Sequence, residues 1–247
     1  MSSSNRIVAV GAIAMLIGML PAHLTAQSGT AAVNTQMSIY LAGGNVYTTS
    51  TPNGGGISPF QILLTAGTNR ILRVAATGTA TFCPNSTCLT ANPDGPAIGA
   101  TDLNSSGAIS GILAPTSGFL AGVFLGVSLP GAAPSRLNFS VLGTNFVSLS
   151  GLALGQTFFI GDGLTSSAIQ QQFFVPDGAT RLYFGIADGG NFSGNPDFYA
   201  DNAGTYSANY SITGDAIPGS TVPEPSTVTL MAAGLVALLF ARRRKSS

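Results

Sequence analysis

Short apolar runs separated by Gly, Pro, Asn and Asp recur along most of this chain, and no stretch between them keeps a helical period. The runs predict strands at 37–41, 45–49, 58–65, 70–82, 119–129, 137–142, 157–160 and 204–213. Residues 169–175 and 181–187, joined by Pro176-Asp177-Gly178-Ala179-Thr180, predict a hairpin. Within 204–213 the residues Tyr206, Ala208, Tyr210 and Ile212 alternate as one strand face should. Residues 85–112 are loop-rich, and 188–197 form a polar, glycine-rich loop. The expected class is all-β, an antiparallel β-sandwich or jelly roll.

Both ends break this pattern. Arg6 precedes an apolar stretch from Ile7 to Leu20, Pro21 interrupts it, and Leu24-Thr25-Ala26 offers a small residue for cleavage. That order predicts a signal peptide over 1–26, helical in its apolar part, with Gln27 as the mature start after export by the Sec machinery. At the other end, Val222-Pro223-Glu224-Pro225-Ser226 leads into an apolar helix over 227–241, then Arg242-Arg243-Arg244-Lys245. Fifteen helical residues reach about 22 Å, short of a bilayer core of roughly 30 Å. A C-terminal anchor and a sorting signal that is later removed both fit that length. The basic stop at Arg242, Arg243 and Arg244 keeps its side cytoplasmic and puts the body outside. The expected organisation is a signal peptide (1–26), an ectodomain (27–213), a linker (214–222) and a sorting tail (223–247).

The tail resembles the PEP-CTERM sorting signal, through Pro223, Glu224 and Pro225, the apolar helix and the Arg-rich end. That resemblance implies an exosortase as processing partner. It also implies an inner-membrane precursor, then a place on the cell surface or in the extracellular matrix of a bacterium that makes exopolysaccharide.

Composition narrows the body's chemistry. Residues 27–221 hold four arginines, no lysine and eight aspartates, so no basic patch is available to neutralise phosphates and nucleic acid is excluded as a partner. The single histidine, His23, lies in the predicted signal peptide, and there is no tryptophan. A serine nucleophile would lack its base and a zinc site its nitrogen ligands, so the expectation is a protein that is not an enzyme. Cys83 and Cys88, the only cysteines, are close in an exported chain and predict a local disulfide.

The richest polar segment holds Asp188, Asn191, Asn195, Asp197, Asp201 and Asn202. Hard oxygen donors at this density suit calcium, and they are also what exposed turns are made of. The segments Arg181-Leu-Tyr-Phe-Gly-Ile-Ala-Asp188, Tyr199-Ala-Asp201-Asn202-Ala-Gly204-Thr-Tyr206 and Val74 to Pro84 resemble a bacterial galactose-binding lectin family of β-sandwiches. The likeness runs from about Ser58 to Thr213. It implies a calcium ion held by Asp188, Asp201 and Asn202 and by the main-chain carbonyls of Phe82 and Phe198, with Asp197 a further candidate. Asn92 and Gly95 stand where that family has its sugar-contacting histidine and glutamine, so galactose itself is not implied. Two functions follow as expectations. One is a calcium-assisted carbohydrate-binding module that meets polysaccharide at the bacterial surface. The other is a purely structural surface or matrix protein with no small ligand.

Overall fold

The computed structural model describes residues 24–49, 54–83, 90–95 and 99–215. In chain order its elements are β1 (Leu24–Asn34), β2 (Phe60–Leu63), β3 (Thr68–Phe82), β4 (Thr101–Leu103), β5 (Ile112–Ala114), β6 (Leu120–Leu125), β7 (Leu137–Asn138), the short helix α1 (Phe139–Leu142), β8 (Ser148–Leu149), β9 (Thr157–Phe159), β10 (Gln172–Phe174), β11 (Arg181–Ile186), β12 (Ser193–Gly194) and β13 (Asn202–Asp215). Strand order is β1-β13-β3-β10-β8 in the first sheet, β2-β11-β6-β9 in the second and β12-β4-β5-β7 in the third. The protein is all-β, as its pattern predicts. Its sheets are mixed, however, not purely antiparallel. The pairs β8–β10, β4–β12 and β5–β7 run parallel over two residue pairs each. In each case the chain passes through a strand of another sheet before it returns, so the crossover needs no helix.

The longest ladder joins β3 to β13 and sets the length of the first sheet. Arg70, Leu72, Val74, Ala76 and Ala80 alternate inward from β3, and Tyr206, Ala208 and Ile212 from β13. Near its far end the ladder passes Gly78 (φ 118°) and Gly204 (φ 114°). A Cβ on Gly78 would lie 2.4 Å from Thr205 O, and one on Gly204 2.3 Å from Thr79 O. The two glycines let the strands cross closely there, where a side chain could not fit.

Seven phenylalanines fill the interior as one continuous chain of rings. The sequence of contacts is Phe119–Phe159–Phe139–Phe146–Phe173–Phe158–Phe124, with neighbouring centroids 4.9 to 5.9 Å apart. Phe173 belongs to the first sheet, Phe158 and Phe124 to the second, and Phe139 to α1. This aromatic spine is therefore a main contact between the layers, beside the Phe184–Tyr210 pair at 6.2 Å. Phe173 is fully buried while its neighbour Phe174 faces outward, as the alternation requires.

Four local expectations are overturned, the first being the strand at 137–142, where only Leu137–Asn138 is extended and Phe139–Leu142 is helical. Residues 39–44 form a 3-10 segment and not a strand. Ile39 and Tyr40 are adjacent and both fully buried, as neighbours in a strand covered on both faces also are, but Gly43 and Gly44 turn the chain at positive φ and end any extended run. Residues 45–49 belong to no strand. The hairpin at 169–187 does not form either. β10 pairs with β3 and β8, whereas β11 pairs with β2 and β6 in the other sheet. The Pro176–Thr180 turn is an arch between layers. Val175 N–H donates to Arg70 O on one side and Thr180 N–H to Leu125 O on the other. The buried Arg70 guanidinium donates to Ala179 O and Thr65 O and so ties the arch down. β11 is buried from Leu182 to Ile186 and needs a central place in its sheet.

β1 was legible only as a cleavage region. Leu24, Thr25 and Ala26 pair with Asp215, Gly214 and Thr213, and eight further pairs run from Gln27 to Asn34. Cleavage before Gln27 would shorten this ladder without removing it. The signal helix, the apolar run 227–241 and Cys88 lie outside the described residues. Among the described residues no helix is long and apolar enough to cross a membrane.

Candidate functional site

Three strands deliver residues to one end of the molecule. β3 ends at Phe82, which is in register with Asn202 at the start of β13, and β11 ends two residues before Asp188. The loop from Gly189 to Asp201 closes over them. Together they surround a cavity of about 280 Å³ whose lining includes Phe82, Asp188, Asn191, Phe192, Phe198 and Asp201. Four of the five residues expected to ligate calcium thus share one wall.

Asn202, the fifth, stands directly against Asp188. Its Nδ2 donates to Asp188 Oδ2 at 2.8 Å and to Thr35 O at 2.9 Å. Two acceptors on one nitrogen fix the amide orientation, since a flip would set oxygen against oxygen. Asn202 Oδ1 is left buried with no hydrogen-bond partner among the described residues. An orphaned buried acceptor is costly and calls for a group that it can meet. Asp188 is 3% exposed. Its Oδ1 accepts the Gly189 N–H at 2.7 Å, and its own N–H donates to Tyr199 Oη at 3.1 Å. The Tyr199 hydroxyl in turn donates to Ile186 O at 3.0 Å. Tyr199 is thus a fully buried strut that holds the Asp188 main chain.

The remaining predicted ligands divide. Asp197 is buried but does not line the cavity; its Oδ1 accepts the Phe198 N–H at 2.9 Å and its N–H donates to Asp188 O at 3.2 Å. It shapes the loop. Asn195 accepts from Asn104 Nδ2 on the exposed side. Asn191, Phe192 and Phe198 all have positive φ, 51°, 55° and 66°, and all line the cavity. Non-glycine residues in this region are strained, and such strain collects at binding sites. Phe192 packs edge-on against Phe82 at 5.8 Å, and Phe198 remains 40% exposed. Thr35, Tyr199 and Phe192 were not identified as parts of the site from sequence. Only Tyr199 carried a signal, lying within the segment similar to the lectin family.

Among the described residues, no group of three or more Asp, Glu, His or Cys side chains converges on one point. A cation here would draw on the carboxylates of Asp188 and Asp201 and complete its shell with amide and main-chain oxygens. Burial, first, pushes the Asp188 carboxyl up to about 8; the Asn202 and Gly189 hydrogen bonds oppose this, and the Asp201 and Asp197 charges add to it. Burial also raises Asp201.

The sign of the resulting pH dependence is fixed. Between about pH 4 and pH 8 native Asp188 keeps a proton that the unfolded chain has lost. In chelator, stability is fullest below about pH 4 and falls as pH rises towards 8. Urea denaturation at a series of pH values should show this slope, and Asp188→Asn should remove a large part of it.

Arg181, at the start of β11, is held by main-chain oxygens. Its guanidinium donates to Gly126 O and Val127 O and lies 5.9 Å from the Tyr183 ring centroid. It is structural.

Fold and cavity thus define an all-β module with a buried Asp/Asn pair at one end. The family described as the PEP-CTERM protein-sorting motif matches residues 221–245. The chain carries that sorting signal, which marks it as an exported precursor processed by exosortase on its way to the cell surface. No curated protein matches the chain, and no solved structure does.

Proposed function

We propose that the ectodomain is a β-sandwich of the galactose-binding or jelly-roll kind that binds carbohydrate with the help of calcium, at the bacterial surface or in exopolysaccharide matrix. The observation that carries this reading is the orphaned Asn202 Oδ1 beside the buried Asp188 carboxyl. A hard divalent cation would accept the first oxygen and neutralise the second. Asp188, Asp201 and Asn202 would hold it through side chains, and Phe82 and Phe198 through main-chain carbonyls. The module is non-catalytic in this reading, and Cys83 and Cys88 form a local disulfide beside the cavity.

The experiment is a glycan array probed with the protein in calcium and again in EDTA. Calcium-dependent capture supports the reading. If calcium binds and stabilises while no glycan is held, the structural alternative replaces it.

The tail has its own test. A C-terminal epitope tag should be lost from the surface-sorted protein. Replacing Pro223, Glu224 and Pro225 by alanine should preserve the tag and leave the chain in the membrane fraction, as immunoblots of fractionated cells would show. Loss of the tag from that variant would remove the role assigned to these three residues.

A further inference from the structure

A second cavity shares no lining residue with the first. It has a volume of about 450 Å³ and lies between the turn at Asp94, the loop 144–146 and the loop 162–168. Its size falls within the range of roughly 300–1,000 Å³ typical of small-molecule sites. We propose that this cavity binds a neutral sugar without a cation, through Asp94, Asp162 and Asn145.

Each of these side chains is oriented by one main-chain bond and retains a second polar atom without a partner among the described residues. Asp94 Oδ1 accepts the Asp162 N–H at 2.9 Å, and Asp162 Oδ1 accepts the Leu164 N–H at 2.8 Å. Asn145 Oδ1 accepts the Ser166 N–H at 2.6 Å, which leaves its amide nitrogen as a donor. Two carboxylate acceptors and one amide donor complement the hydroxyls of a pyranose, which both donate and accept. Phe159, Leu164 and Ala168 supply an apolar side for the ring's C–H groups.

The walls are fixed in advance. Gln171 Nε2 donates to Thr144 O and Phe146 O and so hangs the 144–146 loop from the core. Thr116 Oγ1 donates to Asp94 O. A Cβ at Gly161 (φ 63°) would lie 2.3 Å from Asp94 Oδ1, so the carboxylate occupies space that only glycine leaves open. Preformed polar groups lower the ordering cost of binding.

Charge selects the class of ligand. No lysine or arginine lines the cavity, so an anion would meet two carboxylates and no counter-charge. A cation would meet only two carboxylates, because among the described residues no third Asp, Glu, His or Cys side chain joins them. A neutral, hydroxyl-rich molecule satisfies both conditions.

The test uses the full chain in mild detergent with excess EDTA, which silences any calcium site. Saturation-transfer NMR with cellobiose, lactose and methyl α-mannoside should show transfer to at least one sugar. Asp162→Asn should weaken that sugar's binding roughly tenfold or more. Ser166→Trp, a plug at an exposed residue whose side chain makes no described bond, should abolish it with no change in melting temperature. Asp188→Ala should leave it intact, which keeps this result separate from the fate of the calcium reading. The proposal is overturned if none of the three sugars receives transfer, or if transfer survives Ser166→Trp. It is equally overturned if Asp162→Asn removes a calcium-induced melting shift in place of sugar binding.

Discussion

Calcium added to the chelated protein should raise its melting temperature by about 5–10 °C, and Asp188→Ala should abolish the rise. The size follows from linkage. A ligand at about a hundred times its Kd stabilises the native state by about 2.7 kcal/mol, and a domain of this length gains about 2–4 °C per kcal/mol. Asp188 is the residue to remove because both of its oxygens are engaged at the cavity and its carboxyl is the most deeply buried charge there. Without calcium the same substitution has a second effect. It relieves the burial that lifts the carboxyl to about 8, so the chelated variant should be no less stable than the parent near pH 8. Scanning calorimetry of both proteins in EDTA and in calcium reads all four states. An undiminished calcium shift in Asp188→Ala would sink the site.

Phe158→Ala should cost about 3–5 kcal/mol, the range for truncating a fully buried aromatic ring. Phe158 is the last ring but one of the aromatic spine, stacked on Phe124 at 5.2 Å and tilted against Phe173 at 5.3 Å. It thereby joins the second sheet to the first. A Cβ on Gly122 would approach its ring to 2.5 Å, so the neighbouring strand is already cut back to admit it. Phe174, 39% exposed, is the control, and its alanine variant should cost less than about 1 kcal/mol. Equal losses from the two variants in urea titrations would mean that the spine does not hold the layers together.

The long strands were legible because their side chains alternate. β3 and β13 each present a buried set at every second residue, and their predicted spans fall within the observed ones. The arch at Pro176–Thr180 was not legible. Pro-Asp-Gly is turn chemistry whichever sheet receives the next strand, and the capture of β11 by β6 is a long-range choice made by burial. Tyr40 misled in the same way, since a buried aromatic beside a buried isoleucine imitates a strand and belongs to a 3-10 turn. At the cavity, Asp188 and Asn202 were marked by residue type and by their segments' likeness to a lectin family. Thr35 could not be marked, because it contributes only a main-chain oxygen from 167 residues away.

The register of the first sheet has one more consequence. Asp215 stands between Leu24 and Thr68 at one pole, while Phe82 and Asn202 meet at the other. With 14 residues in β13, the poles are about 43 Å apart. The described chain begins and ends at one pole, and the Asp188 cavity lies at the other. Whatever is cut from the chain beyond Asp215 is therefore cut at the pole remote from that cavity.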